Sequence, residues 1–313
     1  MREIAVFSGS AHPGLAAAIC AQLGLEPRSA RVSRFANDCL EVRLPANCRE
    51  RDVFLIQPIV APVQENLVEL LLMCDAARGA SAARTTVVLP HFAYARSDKK
   101  DAPRISIAAR LVADLLVTAG ADRVLAMALH SPQVHGFFSV PVDHLHALRE
   151  LAAHFRHGDL TNTTVVAPDL GYAKEAARFA RLLGVPVAAG AKERFPDDRV
   201  VISSVIGDVS GRDVIVLDDE IAKGSTVLEL LARLRERGAA SIRVACTHGL
   251  FAGDALTRIG DQDDVLEIVC TDTVPIPPGH RHAKLTVLSV APALAEAIRR
   301  IHNGESVSAL FDT

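Results

Sequence analysis

One pattern limits what this chain can fold into more than any other. Short runs of continuous apolar residues alternate with longer segments of helical period, and the alternation occurs twice. In the first half, "EIAVFSG", "DVFLIQPIV", "TTVVLP" and "DRVLAMAL" are separated by "ENLVELLLMCDAARGA" and "ISIAARLVADLLVTAG". A strand that is apolar on both faces must be covered on both, and the intervening helices supply the cover. The expected product is a mostly parallel sheet flanked by helices. After "SVPVDHLHAL" the pattern restarts with "LHALRELAAHF", "TTVVAPDL", "YAKEAARFARLLG", "VPVAAGA", "RVVISSVIG", "DVIVLDD" and "TVLELLARLRERGA", and runs on through "SIRVACTH", "VLEIVCTD" and "KLTVLSV". The fold class is α/β, with one domain over residues 1–145 and a second over 146–313. At 313 residues the chain is also too long for one ordinary core. The last stretch, "APALAEAIRRIHNGESVSALF", reads as a helix opened by Pro292 and closed by Asn303 and Gly304, followed by an apolar tail. From about residue 292 to 313 it is expected to dock back on the first domain.

Composition removes several classes of function. With 50% hydrophobic and 23% charged residues, the chain has what a packed core needs and is not disordered. A net charge of -3, with Lys and Arg scattered, supplies no dense basic stripe for nucleic acid. No apolar stretch approaches the ~18 residues that span a bilayer. The six cysteines show neither C-x-x-C nor zinc spacing, and no signal peptide opens the chain. They read as reduced thiols of a cytoplasmic protein.

The chemistry concentrates in "VIVLDDEIAKGSTV", residues 214–227. A buried strand ends on Asp218 and Asp219, and a helix begins near Ser225 with its first amides unpaired. Crevices at the carboxyl ends of parallel strands bind ligands, and a helix N-terminus with Gly and hydroxyl residues suits a phosphate. Adjacent carboxylates suit a sugar diol or a metal-bound diol. The plainer reading is a strand-to-helix turn with Ser225 as the N-cap.

The loop resembles the ribose 5-phosphate loop of type I phosphoribosyltransferases and of ribose-phosphate pyrophosphokinases, the PRPP synthetases. Other segments favour the second family: "RFANDCLEVRL", "IVAPVQENLVELLLMCDAARGASA", "HFAYARSDKK", "ALHSPQVHGFFSVPVDHL", "VVAPDLGYAKEAARFA" and "AEAIRRIHNGESVSALF" fall in its order and spacing. The resemblance covers nearly the whole chain. It implies two phosphoribosyltransferase-like domains and transfer of the diphosphoryl group of Mg-ATP to the anomeric hydroxyl of ribose 5-phosphate, giving PRPP and AMP. It also implies a homo-oligomer, a dimer or a hexamer built from dimers.

Residue roles follow by position. Lys192 and Arg194 in "AGAKERFP" match a Lys-x-Arg pair on a mobile catalytic loop that stabilises the transition state. His130, after "RVLAMAL", and Asp169, after "TVVAP", match the ligands of the Mg2+ that bridges the ATP phosphates, although magnesium prefers oxygen to imidazole. Arg96, Ser97 and Asp98 match an ATP-binding segment, and the guanidinium fork of Arg96 suits phosphate. Phe35 matches an adenine-stacking Phe that reaches a neighbouring subunit, with Asn37 and Cys39 beside it. Asp218 and Asp219 would hold the ribose hydroxyls, and Ala222, Lys223, Gly224, Ser225 and Thr226 the 5-phosphate. His135 and His144 read as structural.

Several positions depart from the family pattern. Asn37 and Cys39 stand where acids are common, which bears on nucleotide preference. Ala222 replaces an acid and Lys223 a small hydroxyl residue. The cradle thereby gains two units of positive charge, favouring a phosphate and suiting a more highly phosphorylated sugar. Ala128 replaces an acid near the metal His, and Gly79 a base of a regulatory site of which Arg49 remains. The rival readings are a homologue with altered nucleotide or sugar-phosphate specificity, a non-catalytic regulatory homologue, and a phosphoribosyltransferase that consumes PRPP. The last is disfavoured by the first domain. Survival of Lys192, Arg194, His130, Asp169, Asp218 and Asp219 together favours an active enzyme.

Overall fold

A computed structural model describes residues 3–194, 200–277 and 279–310, with the side chains of 192–194, 200, 201 and 309 left out. In chain order the elements are β1 (Ile4–Ser8), α1 (Pro13–Leu23), β2 (Arg31–Arg34), β3 (Leu40–Arg43), β4 (Asp52–Ile56), α2 (Val63–Gly79), β5 (Arg84–Leu89), α3 (Ala108–Ala119), β6 (Arg123–Met127) and β7 (Val142–Leu145). There follow α4 (Leu148–Phe155), β8 (Thr163–Ala167), α5 (Ala173–Leu183), β9 (Val187–Arg194), β10 (Val200–Ile206), β11 (Asp213–Ile221) and α6 (Ser225–Glu236). The chain continues through β12 (Ser241–Gly249), α7 (Ala255–Gly260), β13 (Val265–Thr271), β14 (Leu285–Leu288) and α8 (Ala291–Asn303). Two compact units result: Met1–His146 with Thr273–Pro275 and Val290–Asp312, and Ala147–Asp272 with Ile276–Ser289.

The first unit holds a five-stranded parallel sheet in the order β1-β4-β5-β6-β7. Its strands are the continuous apolar runs of the sequence. Phe7, Val53, Leu55, Val87 and Leu89 share a core with Leu70, Met73 and Cys74 of α2 and Val112 and Leu116 of α3. The alternate residues Val6, Phe54, Val88 and Leu125 point to the other face and are also buried. Helix α8 belongs to this unit and packs on α1. Its anchor is Asp52, 2% exposed, whose carboxylate accepts from Arg84 Nε at 2.8 Å and Nη2 at 2.5 Å and lies 2.9 Å from His302 Nδ1. Arg84 Nη2 also donates to the Ile301 carbonyl at 3.0 Å. The antiparallel hairpin β2-β3 stands apart from the main sheet.

The second unit is a seven-stranded sheet in the order β10-β9-β8-β11-β12-β13-β14, parallel except at β10. One face packs Val214, Val216, Val244 and Ile268 against Leu230, Leu231 and Leu234 of α6 and Ile259 of α7. The other packs Ile215, Leu217, Ala245 and Val269 against Leu151 and Phe155 of α4 and Phe179 of α5. Each unit is therefore a mostly parallel sheet flanked by helices. From β8 the chain passes to β9 on one side, and later returns to β8's other side as β11. The order reverses between β8 and β11, and the crevice outside their carboxyl ends is where an open α/β sheet binds ligands.

Candidate active site

Two segments of the second unit follow from β8 and β11 at that end of the sheet. The first leaves β8 through Pro168 and Asp169; Asp169 Oδ1 accepts the amide of Tyr172 at 3.2 Å, which closes the turn into α5. The second is the far end of β11: the strand does not end on Asp218 and Asp219 but carries them within it and runs on to Ile221, because β12 still pairs there after the pairing with β8 has stopped at Val216. The strand needs its apolar residues Val214–Leu217 between two helical layers, so its polar residues fall beyond the last pairing with β8, on the stretch held by β12 alone. Asp219 is buried, and its amide donates to Asp218 Oδ1 at 2.9 Å. Burial pushes the Asp218 carboxyl well above the usual carboxylate range, reinforced by the charge and hydrogen bond of Asp219 and by the charge of Asp169. The loop after β8 and the end of β11 thus gather three carboxylates in one electrostatic neighbourhood.

Beyond the carboxylates lies the phosphate-type turn. Ala222 is half-buried, Lys223 exposed, and Gly224 buried at φ 71°, in the left-handed region; α6 begins at Ser225. The N-cap is Gly224 rather than Ser225, and no side chain caps the helix. A Cβ at Gly224 would stand 3.0 Å from Ile259 Cδ1 as well as strain the backbone, so the position requires glycine. The first amides of α6, at Ser225 and Thr226, therefore have no capping side chain, and the positive end of the helix dipole lies there.

Lys192 and Arg194 fall on β9, where backbone pairing sets Lys192 opposite Ile202 and Arg194 opposite Val200. The strand runs three residues past the apolar segment "VPVAAGA" because β10 supplies antiparallel partners. Their side chains lie outside the described residues, as do residues 195–199.

In the first unit, Arg96–Asp98 follow β5 and His130 follows β6, and these strands are parallel neighbours. Both segments therefore leave the same edge of the sheet. Arg96 and His130 are exposed. The Ser97 hydroxyl is engaged locally: it donates to the Ser106 carbonyl at 3.3 Å and accepts the Ala108 amide at 3.3 Å, so it organises the start of α3. Phe35, Asn37 and Cys39 occupy the exposed β2-β3 turn, with Phe35 55% exposed. Asn37 Oδ1 accepts the Cys39 amide at 3.3 Å. His144 Nε2 accepts the Leu129 amide at 2.8 Å, and His135 Nδ1 lies 2.9 Å from the Pro132 carbonyl; both have structural contacts. Ala128 takes φ 45°, a left-handed conformation that a short polar side chain tolerates better than alanine.

Residues 4–120 match the family described as the N-terminal domain of ribose phosphate pyrophosphokinase, and residues 192–312 the phosphoribosyl synthetase-associated domain. A putative ribose-phosphate pyrophosphokinase of Streptomyces coelicolor is 78% identical over 312 residues, 100% of this chain and 98% of the relative. A ribose-phosphate pyrophosphokinase of Deinococcus radiodurans is 49% identical, over 98% of this chain and 97% of the relative. The chain belongs to the ribose-phosphate pyrophosphokinase family. The crystal structure of phosphoribosylpyrophosphate synthetase from Mycobacterium smegmatis, 39% identical, superposes with a TM-score of 0.91 over 97% of this chain and all of that one.

One neighbour of the carboxylates in this pyrophosphokinase-family chain escaped the sequence reading. Tyr172 packs on the core of α4 and α5. Its phenol end is taken out of water, and that burial, with the charges of Asp219 and Asp218, pushes the hydroxyl well above its usual range. The signal available in the sequence was its spacing, three residues after Asp169 at the start of a helix.

Proposed function

We propose that this chain is a ribose-phosphate diphosphokinase. The C1 oxygen of ribose 5-phosphate bonds to the β-phosphorus of ATP, the bond from that phosphorus to the oxygen bridging to the α-phosphorus breaks, and AMP leaves with PRPP as the other product. The hydroxyl proton passes to solvent. The observation that carries this reading is the end of β11 and its turn into α6, where two carboxylates on the strand precede a helix N-terminus that no side chain caps. Asp218 and Asp219 bind the ribose hydroxyls, and Ala222 to Thr226 enclose the 5-phosphate. Lys192 and Arg194 neutralise charge that develops on the transferring group. Phe35, Asn37 and Cys39 receive adenine, and Arg96, Ser97 and Asp98 the ATP phosphates. A homo-oligomer, at least a dimer, follows from the role given to Phe35.

The residues present also fit magnesium. Asp169 is a hard oxygen donor, and its charge adds to that of the half-buried Asp218 and buried Asp219, an excess that a divalent cation relieves. No cluster of three or more ligating side chains occurs among the described residues. Water and phosphate oxygens would therefore supply the other donors to an ion held by Asp169, and His130 is the residue of the first unit given the same role. When bound, Mg2+ supplies charge neutralisation on the triphosphate.

Lys192→Ala should lower kcat roughly 10³-fold with little change in ribose 5-phosphate affinity. Near wild-type turnover in steady-state assays would remove Lys192 from the mechanism. The exposed Lys223 carries a second reading on acceptor preference, since a cation on the phosphate turn favours higher negative charge. Tighter binding of a ribose bisphosphate than of ribose 5-phosphate in calorimetry is the expected sign; equal or weaker binding contradicts it.

A further inference from the structure

The β2-β3 hairpin meets the body of the first unit across an open cleft of about 430 Å³. Ser33, Arg34 and Leu40 line it from the hairpin, and Ala61, Asn66 and Glu69 from the body. Underneath, the floor is rigid: buried Glu69 accepts the Ser10 amide at 2.6 Å and the Ser10 hydroxyl at 2.5 Å. Above, the hairpin is held near its base, where Val42 and Leu44 pack on the core. Its far end, carrying exposed Phe35, has no such packing. What reaches it is the guanidinium of Arg34, the last residue of β2. Nη1 donates to Asp38 Oδ1 at 2.8 Å and to the Asp38 carbonyl at 3.2 Å, and Nη2 donates to Glu65 Oε2 in the first turn of α2. Asp38, at φ 69°, closes the turn by donating its amide to the Phe35 carbonyl at 2.9 Å. One side chain therefore both clamps the turn and ties it to α2.

We infer that Glu65 is a positioning residue for the nucleotide: acting through Arg34 across the cleft, it fixes the hairpin turn that presents Phe35 and Asn37. This rests on the adenine role proposed for Phe35. An aromatic face contributes to binding only in one orientation, and a turn unsupported on one side samples many. The strut is exposed, with 41% of the Arg34 and 53% of the Glu65 side chain accessible, so its effect is modest and sensitive to salt.

Steady-state kinetics of Glu65→Gln test this, with Phe35→Ala as the control. Glu65→Gln should raise KM for ATP about fivefold while kcat, KM for ribose 5-phosphate and Tm stay near wild type. The difference should shrink towards none at about 1 M salt, and the charge swap R34E/E65R should recover most of the loss. A role in folding alone would move Tm and both KM values together, which would overturn the inference. So would an unchanged KM for ATP in Glu65→Gln while Phe35→Ala raises it. If Phe35→Ala itself leaves KM for ATP unchanged, the adenine role fails first and the inference with it.

Discussion

Burial and the neighbouring charge of Asp219 keep the Asp218 carboxyl protonated to higher pH than an ordinary carboxylate. The folded state then binds more protons than the unfolded state from the usual carboxylate range upward, so stability is lost as pH rises through the raised value. A neutral amide in place of the carboxyl removes that liability. Asp218→Asn is expected to be more stable than wild type by roughly 0.5–2 kcal/mol near neutral pH, with the difference vanishing below about pH 4. Urea melts across that range check it, and the same variant should lose ribose 5-phosphate binding. A wild-type advantage at neutral pH would mean that the pair is stabilising. Glycine at position 224 is the same kind of local requirement, set by φ 71° and the contact to Ile259.

Elements are held by partners that local pattern does not name. The carboxylate of Asp52 receives Arg84 and His302, residues 32 and 250 positions away. Asp52→Ala leaves Arg84 part-buried and short of its partner, and should cost roughly 3–5 kcal/mol in urea denaturation, with faster amide exchange in α8. A loss below about 1 kcal/mol would show that apolar packing alone holds the helix. This also marks how far the sequence was legible. Buried strands announce themselves by continuous apolar runs, but the acids after one hid that β11 continues through Asp218 and Asp219 to Ile221, where β12 supplies the partner. The extension of β9 through Arg194 was invisible, because "KER" is a strand only through its antiparallel partner β10. Ser97 was likewise ambiguous: its hydroxyl bonds to Ser106 and Ala108 across a loop whose path no periodicity predicts. The capping question at α6 turned on the left-handed conformation of Gly224, which the Ser after it disguised.

At the scale of the molecule, two units of the same architecture put different chemistry at their strand ends. The second unit has a strand-order reversal with carboxylates and a phosphate-type turn beside it; the first has a monotonic sheet with basic and imidazole side chains after β5 and β6. No described helix is long and apolar enough to cross a membrane. The order of motifs across both halves made the family legible from the sequence, since each segment is weak alone and their spacing is not. The measurement that tests the central claim most directly is phosphorus NMR of the purified chain with Mg2+, ATP and ribose 5-phosphate. The expected result is AMP and a C1-diphosphorylated ribose 5-phosphate in equal amounts, with neither formed when the sugar is left out. AMP without the sugar diphosphate, or ADP as the nucleotide product, would contradict it.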